Sequence, residues 1–132
     1  MNTNRLLIIA IAALLLIICT TAVSSEANTK DIINEKIEQY AEDYSVDPEL
    51  FKKVVKCESN YSTKALNPQD GGSRSVGLLQ FKDATFNYYS RKVEGLQYID
   101  NYEHQIQVAM YMWSNVKGGK NHWSCYSKIT KV

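Results

Sequence analysis

Hydrophobic periodicity is what most limits the folds open to this chain. From Lys30 onward, Ile32, Ile33, Ile37, Tyr40, Ala41 and Tyr44 recur at helical offsets, with Glu35, Lys36, Glu38 and Glu42 between them. That pattern is one apolar face of an α-helix with a wet opposite side. Ser45 and Val46 interrupt it. A second helix is announced by Asp47, a good N-cap, with Pro48 at the first helical position and Glu49 opposing the positive helix end. It is expected to run from Pro48 to about Ser59. Leu50, Phe51, Val54 and Val55 form its apolar stripe, and Lys52, Lys53 and Lys56 a solvated one.

Turn formers crowd residues 67–75, where a loop or small hairpin is expected. Gly77-Leu78-Leu79-Gln80-Phe81 reads as a short turn into a third helix, capped by Asp83, carrying Phe86, Tyr88, Tyr89 and Val93, and ended by Gly95. Asp100 or Asn101 opens the last long helix, with Ile106, Ala109, Met110, Trp113 and Val116 inward and Gly118-Gly119 as its stop. His122, Trp123, Cys125 and Tyr126 follow in a polar and aromatic tail, and residues 26–29 form a short polar leader. The expected fold is mostly α, a single domain with one small loop or hairpin insertion.

Directly after Arg5, residues 6–19 are an unbroken apolar run. This is the length of a signal-peptide core and short of the roughly 20 residues a membrane-spanning helix needs. Small residues follow, and cleavage after Ala22, Ser24 or Ser25 fits equally. The chain is therefore expected to divide into a signal peptide over 1–25 and one domain over 26–132. An uncleaved anchor is one alternative. Lipidation of Cys19 is another, opposed by the bulky Ile18 before it. The protein is expected to be exported (secreted, periplasmic or cell-envelope associated) and to meet the membrane only through this segment.

The 132 residues carry 15 Lys+Arg against 14 Asp+Glu, a formal charge of +1 that falls to zero once Arg5 is removed. No basic excess marks a nucleic-acid binder. Without Cys19, two cysteines remain, Cys57 and Cys125. An even pair in an exported chain reads as one disulfide, with two separate buried thiols as the alternative. His104 and His122 have no zinc-site spacing, and a disulfide would remove Cys57 as a nucleophile. No metal and no cofactor are expected.

Glu58 is the informative position. It lies four residues after Val54, three after Val55 and seven after Phe51, which puts it on the apolar stripe of its own helix. A carboxyl group held against apolar surface resists ionisation, and its raised pKa suits a general acid near neutral pH. The plainer reading is a helix-terminal glutamate that bends to water or pairs with Arg74.

The residues after Glu58 decide between these. Glu58-Ser59-Asn60-Tyr61, then Ala65-Leu66-Asn67-Pro68, then Gly77-Leu78-Leu79-Gln80-Phe81 resembles the soluble lytic transglycosylase family, relatives of goose-type lysozyme, over residues 58–81. The resemblance implies a lysozyme-like α fold that cleaves the β-1,4 bond between N-acetylmuramic acid and N-acetylglucosamine in peptidoglycan glycan strands. It implies Glu58 as the acid/base, Asn67 as a sugar contact and Gln80 as a cleft residue. It also implies Gly77 as the glycine that keeps the backbone close to the sugar, and Ser59 as a family serine suited to supporting the helix end. Larger relatives carry a late Ala-Tyr-Asn-Ala-Gly segment with a cleft tyrosine. Here Trp123-Ser124-Cys125-Tyr126 stands instead, so Tyr126 or Trp123 is expected in that role. Tyr40, Tyr44 and Tyr102 read as core-edge residues with the hydroxyl in water. Tyr61, Tyr88, Tyr89, Tyr98, Tyr111 and Tyr126 come from segments able to rim the cleft.

A lytic transglycosylase needs one carboxyl group, whereas a hydrolytic glycosidase normally uses two. Asp70, beside Gly71, reads as a solvated turn aspartate. Its alternative role is partner to Glu58 in a lysozyme-type muramidase. A third possibility is a non-catalytic module that binds peptidoglycan or an inhibitor. The small size and lack of a wall-binding repeat suggest, by analogy, delivery by a larger envelope or secretion complex.

Overall fold

The computed structural model describes residues 28–131. The proposed signal peptide and its cleavage sites lie outside them. The chain separates into two units, 1–33 and 34–132. Of the first, residues 28–33 are helical, with Ile33 buried and Ile32 exposed. Residues 28 and 29 are thus helical rather than part of a polar leader. Helix α1 continues to residue 44 and stops where Ser45 enters the left-handed region (φ 53°).

The second unit is helical apart from one hairpin. Helix α2 spans Pro48–Ser59, and the Asp47 side chain accepts from the backbone N–H groups of Glu49 and Leu50. This satisfies amide groups that the first turn leaves unpaired. Strands β1 (Leu66–Asp70) and β2 (Ser73–Val76) pair antiparallel. Gly71 and Gly72 form the two-residue turn at φ 58° and 85°, the left-handed pair that matches the twist of a tight hairpin. Helix α3 spans Asp83–Ser90, α4 Tyr102–Asn115, the 3-10 turn η1 Gly119–His122, and α5 Ser124–Thr130.

Three boundaries differ from expectation. Asp83 is the first residue of α3 and does not cap it; Lys82 holds the cap position. The Asp83 carboxylate accepts from Arg74 Nε and from Arg74 Nη2 (2.7 and 2.9 Å), and this guanidinium holds it below the usual carboxylate range. Helix α3 ends at Ser90, before Val93 and Gly95. The Ser90 hydroxyl bonds to Asn87 O, and tighter i→i+3 bonds from Lys92 and Val93 unwind the end. The aromatic tail is not irregular but forms η1 and α5.

The core of this unit is built from Ile37, Phe51, Val54, Val55, Leu78, Leu79, Phe86, Ile106, Met110 and Met112, all fully buried. Val116 ends α4 half-buried, while Val108 and Met112 join its expected inner face. Lys52 is not simply solvated: its ammonium bridges Glu38 (2.6 Å) and Glu49 (2.8 Å). Tyr40 donates its hydroxyl to Glu103 (2.8 Å) instead of to water, and burial together with that carboxylate pushes its pKa up to about 12. A disulfide joins Cys57 to Cys125, as the cysteine count suggests, and ties the end of α2 to the start of α5.

Candidate active site

Glu58 sits in the last turn of α2, half-buried, because the helical offsets that bury Phe51, Val54 and Val55 bring it to the same side. Its Oε1 accepts from the backbone N–H of Cys125 (3.4 Å). Burial is the largest influence on the carboxyl group and pushes its pKa above the ordinary glutamate value. The Cys125 N–H and the charge of Lys128 pull it back, and the charge of Asp70 adds to the rise. The alternative pairing with Arg74 is absent, since Arg74 is engaged by Asp83.

Glu58 opens onto a cleft of about 450 Å³, which Asp70, Gln80, Phe81, Lys82, Thr85, Asn121, His122, Trp123 and Ser124 also line. Six segments meet there: the end of α2, the tip of the hairpin, the turn leading into α3, the first turn of α3, η1 and the start of α5.

The turn over residues 77–80 is held from below. Val76 and Phe81 exchange backbone hydrogen bonds of 3.0 Å, and Gly77 and Gln80 take left-handed backbone conformations (φ 76° and 48°). Gln105 of α4 reaches up beneath the turn. Its Oε1 accepts from Leu79 N (2.9 Å), and its Nε2 donates to Val76 O (3.2 Å) and Ile99 O (2.6 Å). The Trp123 indole N–H donates to Leu79 O (2.8 Å). A buried glutamine and a buried indole are thus satisfied by the same turn, as buried polar groups require.

The expected site residues divide. Gln80 lines the cleft, with Nε2 donating to Ala65 O and Gly77 O. Trp123, only 4% exposed, forms cleft wall, whereas the Tyr126 ring packs on Trp113 at 5.4 Å and is not among the lining residues. Pinning by Leu79 O turns Trp123 inward, and Tyr126 projects from another side of α5. Gly77 is buried, and a Cβ there would lie 2.1 Å from Gln105 Nε2; its bare backbone makes room for Gln105 rather than lining the cleft. Asn67 is exposed on the hairpin, where its Oδ1 accepts from Gln69 N (3.3 Å), and it does not line the cleft. The Ser59 hydroxyl bonds back to Val55 O (3.4 Å), in keeping with helix-end support.

Asp70 is more than a solvated turn residue. Ser75 donates to its Oδ2 (2.5 Å), the Lys82 ammonium lies 3.7 Å from that oxygen, and Lys82 Nζ also donates to Asp70 O (2.8 Å). These contacts hold the hairpin tip against the cleft. His104 is also not merely solvated: its ring stacks on Tyr98, and its Nδ1 accepts from Tyr98 N.

Sequence reasoning missed Phe81, Lys82, Thr85, Asn121, His122 and Ser124 as cleft residues, and Gln105 as the support beneath them. A polar Gln105 on the inward stripe of α4, between Ile106 and the helix start, was the available signal for the last. The others carry no local signal, because only tertiary packing of the start of α3, η1 and the start of α5 around the end of α2 brings them into one cleft with Glu58.

No curated protein and no solved structure matches the chain. The model of the family described as Transglycosylase SLT domain matches residues 35–127, which include every residue that lines the cleft. With its helical architecture, small hairpin and half-buried helix-end glutamate, the chain belongs to the transglycosylase SLT domain family.

Proposed function

We propose that this protein is a peptidoglycan lytic transglycosylase that cleaves the N-acetylmuramic acid–β-1,4–N-acetylglucosamine bond, with Glu58 as its acid and base. The observation that carries this reading is the placement of Glu58 at the cleft with a pKa raised by burial. A carboxyl group whose proton is held more tightly by burial can donate it to the leaving glycosidic oxygen. The resulting carboxylate then accepts the proton of the muramoyl C6 hydroxyl. That oxygen bonds to C1 and closes a 1,6-anhydro ring without consuming water. Gln80 and Trp123 are the groups best situated to position sugar at this carboxyl, in a cleft open to a polymer.

The protein would act outside the cytoplasm, after export through residues 1–25, on glycan strands of the cell wall. The disulfide supports an oxidising compartment. Delivery by a larger envelope or secretion complex fits its small size.

Digestion of purified sacculi followed by mass analysis tests the reaction. Anhydro-muramoyl ends are expected from the native protein, with at least a 100-fold loss of release rate for Glu58→Gln. Wall clearing that survives Glu58→Gln unchanged would leave a non-catalytic binding module as the better reading. One observation favours a second reading: Asp70 lines the same cleft as Glu58. A lysozyme-type muramidase using both carboxylates predicts reducing ends in place of anhydro ends, and their loss in Asp70→Asn.

A further inference from the structure

An aromatic path leads out of the cleft. Trp123 forms its buried wall, and the His122 ring lies 6.3 Å from it at the cleft surface. Tyr89 meets His122 edge-on at 5.9 Å, and Tyr88 meets Tyr89 edge-on at 4.9 Å. Tyr88 and Tyr89 follow Thr85, a cleft residue, by three and four positions on α3, so the three share one helix face. That face therefore continues the cleft wall.

Tyr88 is 60% exposed. A large aromatic side chain this open adds little to the core, yet its orientation is held by two contacts. One is the Tyr89 ring; the other is Lys92, whose ammonium lies 5.3 Å from the Tyr88 ring centre. The result is a ring held in place at the surface, polar at its hydroxyl, with the Lys92 ammonium over one face and the residue still 60% exposed. A pyranose ring has the complementary chemistry: C–H groups on one face to pack on the aromatic ring, and hydroxyl and acetamido groups at its edge.

We infer that Tyr88 and Tyr89, with His122 as the link to the cleft, form an outer binding subsite for an additional N-acetylhexosamine ring of a β-1,4-linked glycan. The subsite makes the protein favour long strands over short fragments. It rests on the proposed glycan-cleaving role for its connection to Glu58, but binding at Tyr88 does not itself require catalysis.

The test measures the affinity of Glu58→Gln protein for β-1,4-linked N-acetylglucosamine oligomers of three and six sugars, alone and combined with Tyr88→Ala, Tyr88→Phe or Tyr98→Ala. The last removes an aromatic of similar exposure (67%) that stacks on His104 instead of joining the path. The six-sugar oligomer is expected to bind more tightly than the three-sugar one. Tyr88→Ala is expected to weaken only six-sugar binding, by about 3–10-fold, the scale of one aromatic packing contact. Tyr88→Phe should retain that affinity, and Tyr98→Ala should not change it. Unchanged six-sugar affinity in Tyr88→Ala, an equal loss for both lengths, or no oligomer binding by any form overturns the subsite. Those results leave the role of Glu58 standing if sacculus digestion still depends on it. Conversely, a Tyr88 effect on six-sugar binding in a protein whose wall clearing ignores Glu58→Gln upholds the subsite and sinks the catalytic reading.

Discussion

Glu58 shows how one residue joins stability to chemistry. Burial disfavours its charged form, so the folded protein holds the proton more tightly than the unfolded chain, where the ordinary value of 4.5 applies. The stability linked to this group is therefore fully present below about pH 4.5 and is lost as pH rises through the raised folded-state value. Glu58→Gln removes the desolvated charge and keeps an oxygen to accept from Cys125 N–H. The variant is expected to melt at a higher temperature than the native protein near neutral pH, and the gap should close as pH falls below 4.5. Paired melting curves across pH check this; a gap that widens toward acid would contradict the assigned burial effect. The same reasoning predicts a charge-dependent change at Lys128, which lowers the Glu58 pKa. Lys128→Met should move the limb on which activity declines with rising pH to higher pH, as read from a pH–rate profile.

At the scale of elements, the turn over residues 77–80 depends on one glycine. Gly77 combines a left-handed backbone with a closest approach of 2.1 Å between a would-be Cβ and Gln105 Nε2. Gly77→Ala must strain the backbone and displace Gln105 from Leu79 N, Val76 O and Ile99 O. A loss of about 2–4 kcal/mol is expected in chemical denaturation, larger than a surface Gly→Ala change. The helices around this turn were legible from sequence for local reasons. Asp47 and Pro48 mark the start of α2, and Asn101 caps α4 by accepting from Glu103 N and His104 N. Gly71 and Gly72 supply the hairpin turn. The end of α3 was less legible, because it depends on Ser90 competing for Asn87 O. Helix α5 was missed because its anchors, Cys57 and the Leu79 carbonyl, come from distant parts of the chain.

Across the whole molecule, the Cys57–Cys125 link spans 68 positions and joins the end of α2 that carries Glu58 to the start of α5. Closing so long a loop restricts the unfolded chain, and replacing both cysteines by serine is expected to cost about 3–4 kcal/mol in urea or guanidinium titrations. Because Cys125 also presents its N–H to Glu58, the same replacement should change the pH profile of activity as well as stability. A purely structural crosslink would leave the position of that profile unmoved.

The sequence alone determined the helical class, a loop or small hairpin after α2, the cysteine pair and Glu58 as the residue to watch. Each is written in short-range spacing, capping chemistry or parity. Which residues share the cleft with Glu58 was decided only by the tertiary structure. Asp70 and Trp123 lie 12 and 65 positions from Glu58 along the chain, and Tyr126, only three residues beyond Trp123, faces elsewhere. The reason is physical: periodicity reports which side of an element is buried, but not which other element buries it. That choice belongs to long-range contacts, here the disulfide, Gln105 beneath the turn, and the indole bond from Trp123 to Leu79.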